Sequence, residues 1–138
     1  MRQGLETSGP EPALVRQAWA EWLGTLPWNL FLTITFDAKK VNPAIYRHPD
    51  RPVHYVGKWL RARLSPYSRL FLASEAHLAG NYHVHGLYSG SCNSTYKLWR
   101  DLYLKYGLSR VEVVKSRQDV ASYLTKYVAK ALTYYYIW

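Results

Sequence analysis

Glu75, His83 and His85 are the side chains whose types and spacing could bind a metal ion. Successive side chains of a β-strand point to opposite faces, so His83 and His85 would share one face while Val84 enters the core. Two imidazoles and one carboxylate suit a divalent cation that keeps open positions for substrate, such as Mg²⁺ or Mn²⁺. A closed structural zinc site is disfavoured, because the single cysteine, Cys92, belongs to no C-x-x-C pattern. Taken alone, a histidine pair on a strand fits a solvated surface equally well.

The loop before the histidines decides whether Glu75 joins them. The residues around Glu75 read as a strand, and Ala-Gly-Asn at 79–81 has the chemistry of a hairpin loop. If Leu78 pairs with Tyr82 across a three-residue loop, Glu75 lies opposite His85 on the same face. A two-residue loop would turn Glu75 to the other face. The metal-site interpretation therefore predicts the three-residue loop.

The same register places His77 opposite His83. His77 is then a candidate fourth ligand, or a side chain that orients a ligand through a hydrogen bond.

A second group of reactive residue types has the repeated pattern Y-x-x-K-Y-x-x-K and contains Tyr123, Lys126, Tyr127 and Lys130. The segment lacks Gly and Pro and predicts a helix over about 117–132, with the tyrosines one turn apart and both lysines on the same side. A nearby cation favours the phenolate of a tyrosine, whose unperturbed pKa is about 10, and so activates it as a nucleophile. The alternative is boundary tyrosines and solvated lysines on an amphipathic helix.

The surrounding pattern predicts the elements that position these residues. Strands are predicted over about 30–36, 69–77, 82–89 and 110–114, and helices over about 12–23, 52–64, 95–106 and 117–132. After the first helix the order is β-α-β-β-α-β followed by the helix of the tyrosines, which is the split βαβ arrangement. The predicted fold class is α+β, an antiparallel sheet covered by helices, with an extra N-terminal helix. Residues 1–11 are expected to form a loose leader, and residues 133–138 either pack on the sheet or mark a chain cut short.

The net charge of +9 is concentrated in the middle of the chain. Residues 38–73 carry eight lysines and arginines against Asp50 alone. Such a stretch is typical of phosphate contacts. The candidates for contacts with a DNA backbone are Lys39, Lys40, Arg61 and Arg63. The alternative is that these side chains form a solvated basic face. The chain also has six tryptophans and thirteen tyrosines. Trp59 and Trp99 are expected in the core, but an aromatic side chain on the sheet face or its rim can stack on unpaired bases.

Three segments, in order, resemble the motifs of HUH endonucleases, in particular the replication initiators of rolling-circle plasmids, phages and small single-stranded DNA viruses. They are the apolar strand at 31–36, then Glu75 with H-V-H-G at 83–86, then Y-L-T-K-Y at 123–127. The resemblance implies that residues 12–138 form a single HUH endonuclease domain with a ferredoxin-like or RRM-like sheet.

The resemblance also implies roles for individual residues. Glu75, His83 and His85 would bind the metal, Tyr123 would attack the DNA, and Lys126 would assist. Tyr127, which is followed by its own lysine at Lys130, is similar to the second nucleophile of the two-tyrosine branch. Either tyrosine can be the principal nucleophile.

The implied activity is metal-dependent, sequence- or structure-specific nicking and joining of single-stranded DNA through a 5′-phosphotyrosine, which starts rolling-circle replication. The implied partners are single-stranded DNA or an origin hairpin, and a host replication helicase, because the chain is too short to hold its own helicase module. The alternatives are an HUH-type transposase or relaxase, and a non-catalytic module that binds nucleic acid. No apolar stretch approaches the roughly 20 residues of a membrane span, and a single cysteine fits a reducing compartment, so a cytoplasmic location without membrane contact is expected.

Overall fold

The computed structural model describes residues 13–92, 94–124 and 135–137, and these contain five strands, five helices and one 3₁₀ turn. The strands are β1 (Leu30–Ile34), β2 (Arg69–Ala76), β3 (Tyr82–Ser89), β4 (Ser109–Val113) and β5 (Tyr135–Ile137). The helices are α1 (Ala13–Gly24), α2 (Pro43–Tyr46), α3 (Arg51–Arg63), α4 (Thr95–Lys105) and α5 (Arg117–Tyr123). Within the described ranges, no helix has the length and apolar character needed to cross a membrane.

The five strands form one sheet in the order β4-β1-β3-β2-β5, and all neighbouring strands are antiparallel. The connection through α3 joins β1 to β2 across β3, and the connection through α4 joins β3 to β4 across β1. These two interlocked crossovers are the split βαβ arrangement, so the predicted α+β fold class is confirmed. Strand β5 extends the sheet beyond β2, so residues 135–137 of the C-terminal segment pair with the sheet, and the rest of that segment lies outside the described residues.

Different helices cover the two faces of the sheet. Leu32, Leu72 and Val84 are fully buried on one face, in a core that includes apolar side chains of α3 and α4. Phe71 and Leu87 point to the opposite face and pack with α1 and α5. Side chains alternate along a strand, so positions 75, 83 and 85 belong to this second face. The candidate site therefore lies on the sheet face bordered by α1 and α5.

The β2–β3 hairpin has a different register from the predicted one. The last pair is Ala76 with Tyr82, and the N–H of His77 donates to the carbonyl of Asn81 at 2.7 Å. The predicted pair of Leu78 with Tyr82 and the three-residue loop are therefore wrong.

Backbone conformation in the loop explains the difference. Ala79 (φ 55°) and Gly80 (φ 76°) both adopt the left-handed conformation next to each other, within a 3₁₀ turn at Leu78–Gly80. The register differs by two residues, which preserves the alternation of faces. Glu75 consequently stays on the histidine face, but it pairs with His83 instead of His85.

Candidate metal centre and nucleophile

The β2–β3 hairpin brings Glu75, His83 and His85 together, and we call these three residues the metal-ligand group. The Oε1 atom of Glu75 lies 2.8 Å from Nε2 of His83 and 2.9 Å from Nε2 of His85, and the two Nε2 atoms are 3.2 Å apart. Glu75 faces His83 directly across the hairpin, and His85 stands next on the same face of β3. Val84, between the histidines, is fully buried on the opposite face, as the alternation predicts.

The chemistry of the three converging atoms fits a metal ion. A carboxylate oxygen and a deprotonated imidazole nitrogen are both acceptors, so the three atoms repel one another unless a cation or a proton lies between them. Ligand atoms about 3 Å apart correspond to neighbouring corners of an octahedron with bonds of about 2.1 Å, the geometry that Mg²⁺ requires. The metal-ligand group can therefore hold a divalent ion, and its mixed nitrogen and oxygen set leaves the identity of the metal open.

Opposing effects act on the carboxyl of Glu75. Burial disfavours its charged form, whereas the hydrogen bond with His83 and the charge of His85 favour it, and the net effect holds the pKa of Glu75 below its usual value. The side chain of Glu75 is 23% exposed, that of His83 14% and that of His85 6%. A phosphate therefore has easier access to the group from the side of Glu75 and His83.

Thr33 contacts the ring of His85 from the neighbouring strand. The two residues are directly paired between β1 and β3, and Oγ1 of Thr33 lies 3.4 Å from Nδ1 of His85. If Nδ1–H donates to this hydroxyl, Nε2 of His85 is left deprotonated toward Glu75, which is the tautomer that binds a metal. Sequence reasoning missed Thr33, because its place depends on the β1–β3 register, which no local motif determines.

Tyr123, the first of the predicted nucleophiles, lies beside this group. Its ring stacks on Phe31 with 4.8 Å between centroids, and it meets the ring of His85 edge to face at 6.3 Å. The hydroxyl oxygen of Tyr123 is shielded from solvent. The other predicted members of this constellation lie outside the described residues, namely Lys126, Tyr127 and Lys130.

His77 contacts the group without entering it. Its ring stacks on that of His83, with 4.6 Å between centroids and 20° between planes. Among the described residues, the ligand atoms that lie within 4.8 Å of one another come from Glu75, His83 and His85. His77 therefore supports the ring of His83 in this structure, and its role as a fourth ligand stays a prediction.

The basic residues predicted to contact DNA lie on α3 and in the β1–α2 loop. Arg61 and Arg63 are at the C-terminal end of α3, and the guanidinium of Arg63 covers a tryptophan ring of the same helix at 4.3 Å. Lys39 and Lys40 are exposed in the β1–α2 loop. The ammonium of Lys40 lies 4.0 Å from the centroid of the Tyr103 ring and donates to the carbonyl of Tyr103 at 2.7 Å. Helix α3 packs on the sheet face opposite the metal-ligand group, so the structure separates Arg61 and Arg63 from the candidate metal centre.

Arg110, which sequence reasoning missed, lies on the same face as the metal-ligand group. It pairs with Thr33, which pairs with His85, so the three residues form a row across β4, β1 and β3. Strands are about 4.8 Å apart, which puts the backbone of Arg110 about 10 Å from that of His85. Its Nε atom is 3.7 Å from a carboxylate oxygen of Glu112, and both side chains are largely exposed. A flanking phosphate of a strand bound at the metal-ligand group lies within reach of this guanidinium.

A sequence model of the replication-associated protein ORF2 family matches residues 29–132. The chain belongs to this family. No curated protein and no solved structure gave a significant match.

The segment matched to the replication-associated protein family runs from the residue before β1 to beyond α5. It thus contains the metal-ligand group, Tyr123 and Tyr127. Membership of this family is consistent with a rolling-circle replication initiator, as the ordered motifs predict. The family match thus indicates replication initiation as the broad function of this domain.

Proposed function

We propose that the protein is an HUH endonuclease that nicks and rejoins single-stranded DNA, at a specific sequence or an origin hairpin, and so initiates rolling-circle replication. The observation that carries the proposal is the convergence of Glu75, His83 and His85 on the sheet face where the ring of Tyr123 packs 6.3 Å from that of His85. A metal centre beside a tyrosine is the arrangement that covalent phosphoryl transfer requires.

Each part of the reaction has a residue in this arrangement. Glu75, His83 and His85 hold the divalent cation, which we take to be Mg²⁺ or Mn²⁺. When bound, the cation offsets the charge that develops on a non-bridging oxygen of the scissile phosphate. The tyrosine hydroxyl gives up its proton, its oxygen attacks phosphorus, and the bond from phosphorus to the 3′-oxygen breaks. The 3′-oxygen takes up a proton and leaves as a hydroxyl, while the 5′-phosphate stays on the tyrosine.

The phosphotyrosine retains the free energy of the broken phosphodiester. A 3′-hydroxyl that returns to the site can therefore attack the phosphotyrosine and rejoin the strand, with release of the tyrosine. We propose that Tyr123 and Tyr127 both serve as nucleophiles, with Lys126 and Lys130 favouring their phenolates. Because the hydroxyl of Tyr123 is shielded from solvent, we expect DNA binding to uncover it before attack.

Covalent capture tests the proposal directly. The protein is mixed with Mn²⁺ and a pool of labelled single-stranded oligonucleotides, with and without EDTA, and resolved on a denaturing gel. The expected result is a DNA-shifted protein band that requires metal and that Tyr123→Phe or Tyr127→Phe abolishes. Tyr67→Phe is the matched control, because Tyr67 is 94% exposed in the α3–β2 loop, away from the metal-ligand group.

The tyrosine variants separate the two nucleophiles. Loss of the band in one single variant identifies the principal nucleophile, and loss only in the double variant means that either tyrosine attacks. His83→Ala and His85→Ala are expected to abolish the adduct with little loss of DNA affinity, since basic side chains provide most backbone contacts. An adduct that forms equally well in EDTA would contradict the metal-dependent mechanism.

A non-catalytic module that binds nucleic acid on its sheet is the competing function. In RRM domains, aromatic side chains on the sheet stack directly on bases. Here Phe31 on the central strand β1 is covered by Tyr123, and His85 on the central strand β3 is buried. The side chains of Phe31 and His85 therefore cannot stack on a base unless α5 moves. Tight DNA binding without any adduct would favour this function.

A further inference from the structure

Exposed apolar side chains are concentrated on and just after α4. Among the described residues, five of the seven exposed large hydrophobic side chains lie between residues 96 and 113. Tyr96 is 66% exposed and Tyr103 is 42% exposed. Isolated apolar residues are common on protein surfaces, but a contiguous group of them marks an interaction site.

Three aromatic rings in this region form a ladder along α4. Tyr96, Trp99 and Tyr103 lie on one side of the helix, with 5.9 Å between the first two ring centroids and 5.4 Å between the last two. The indole N–H of Trp99 donates to the carbonyl of Ser109 at 2.8 Å, which fixes the ladder against β4. Trp99, expected in the core, is thus half-buried at the sheet edge. We call these three residues the aromatic ladder.

Cations lie next to the aromatic ladder. The ammonium of Lys40 is 4.0 Å from the ring centroid of Tyr103, a cation–π contact. Arg100 follows Trp99 and lies four residues after Tyr96 and three before Tyr103, so it shares the exposed side of the helix with both tyrosines. Its guanidinium has only a loose contact of 3.7 Å with the carboxylate of Asp101. Exposed aromatic rings interleaved with cations are typical of surfaces that bind unpaired nucleic acid.

The ladder also lies where a strand leaving the metal-ligand group would pass. Strand β4 is at the edge of the sheet, and its Arg110 points to the face of the metal-ligand group in line with Thr33 and His85. The ladder lies on the other side of the same edge strand. A DNA strand that crosses the sheet face over Arg110 therefore arrives at the β4 edge next to Trp99.

We propose that the aromatic ladder, together with Lys40 and Arg100, binds an unpaired stretch of DNA that flanks the nick site. A base stacks on the exposed ring of Tyr96, while Tyr103 lies between Trp99 and Lys40, and phosphates pair with the two cations. The inference rests on the proposed function for its biological setting. It extends the path of the bound DNA from the metal-ligand group, over Arg110, to the outer edge of β4. A protein partner is the less favoured occupant, because cations flank the rings.

The test measures binding of labelled oligothymidines of about 6, 12 and 18 nucleotides, which bracket the site sizes of known single-strand-binding domains. Tyr96→Ala is expected to weaken binding of the two longer oligonucleotides about tenfold, the loss of one base stack, and to affect the shortest much less. Tyr96→Phe retains the ring and is expected to bind like the unaltered protein. Tyr67→Ala is the matched control, since Tyr67 is more exposed and lies in the α3–β2 loop, outside α4.

Unchanged affinity of Tyr96→Ala for every oligonucleotide would overturn the inference and leave a protein as the occupant of the ladder. Equal weakening by Tyr67→Ala would also overturn it, because loss of any exposed tyrosine would then have the same effect. Covalent capture with the unaltered protein is run in parallel, so that a failure of the proposed nicking is detected separately from a failure of the ladder. A Tyr96 effect on binding in a protein that never forms an adduct would refute the proposed nicking while supporting the ladder.

Discussion

The hydroxyl of Thr33 is positioned to hold the ring of His85 in the tautomer that binds a metal. The 3.4 Å contact with Nδ1 leaves Nε2 facing Glu75, and partners of this kind typically contribute about 10- to 100-fold to metal affinity. Thr33→Val keeps the shape of the side chain and removes the hydroxyl, so we expect Mn²⁺ to bind about tenfold more weakly. Thr33→Ser keeps the hydroxyl and should restore the affinity. Isothermal titration with Mn²⁺ in the absence of DNA measures both variants, and equal affinity in Thr33→Val would refute the role.

The lowered pKa of Glu75 makes a prediction about stability in acid. A group whose pKa is lower in the folded state stabilises the fold above its unfolded pKa, here about 4.5, and this stabilisation is lost as the pH falls through the folded value. Above this pH, and in EDTA to remove metal, the unaltered protein should therefore unfold at a higher urea concentration than the Glu75→Gln variant. The difference should be present above this pH and should vanish in strong acid, below the folded pKa of Glu75. A difference that grows toward strong acid would contradict the assignment.

At the scale of elements, Gly86 allows β3 to lie tightly between its neighbours next to His85. A Cβ at this position would lie 2.5 Å from Cδ2 of Leu72 and 3.2 Å from the carbonyl oxygen of Phe71. Because Leu72 is fully buried, Gly86→Ala should lower the free energy of unfolding by about 1–3 kcal/mol.

Urea unfolding measures the effect of this substitution. Gly24→Ala is the matched control, because a Cβ there meets only an ordinary contact at 3.7 Å and Gly24 ends α1. The histidine next to Gly86 should shift with β3, so Mn²⁺ affinity should fall in Gly86→Ala and not in Gly24→Ala. Unchanged stability in Gly86→Ala would mean that the sheet relaxes without cost.

Local patterns predicted the elements better than the distances between them. The side-chain oxygen of Ser116 accepts the N–H of Asp119 at 3.1 Å, so the helix predicted from residue 117 begins there with a side-chain cap. The hairpin register was wrong, because two adjacent left-handed residues lengthen the loop and the sequence marks only the glycine. The four-residue helix α2 was missed, although Asn42 before Pro43 is a capping signal, because one helical turn has no apolar periodicity.

Within the candidate site, too, the sequence predicted the residues that are close to one another in the chain and missed those that are distant. The residues that sequence spacing could identify are neighbours on one strand or one hairpin, namely Glu75, His83 and His85. Thr33 and Arg110 reach the same face from strands distant in the chain, and their places follow only from the strand order. The face to which a side chain points follows from its position along its own strand. The residue that it meets on the next strand depends on the order and register of the whole sheet.

At the scale of the whole molecule, the sheet separates two groups of basic residues. Arg61 and Arg63 lie in the helical layer, whereas Arg110 shares the face of the metal-ligand group. Both groups can contribute to DNA affinity through the net charge of +9. Of these three arginines, Arg110 is the one on the face of the candidate metal centre.

This separation predicts different effects on binding and on nicking. Each contact with a single-strand phosphate contributes about 0.7 to the slope of log affinity against log salt concentration. Arg63→Gln should reduce this slope by at most that amount and leave the rate of adduct formation at saturating DNA unchanged. Arg110→Gln should reduce the slope similarly but also slow adduct formation at saturating DNA, because its phosphate contact aligns the strand at the metal-ligand group. Binding titrations at several salt concentrations and single-turnover capture measure the two quantities.

If Arg63→Gln slowed adduct formation as much as Arg110→Gln, the bound DNA would have to cross the face of the sheet that α3 covers, and the path over Arg110 would be wrong.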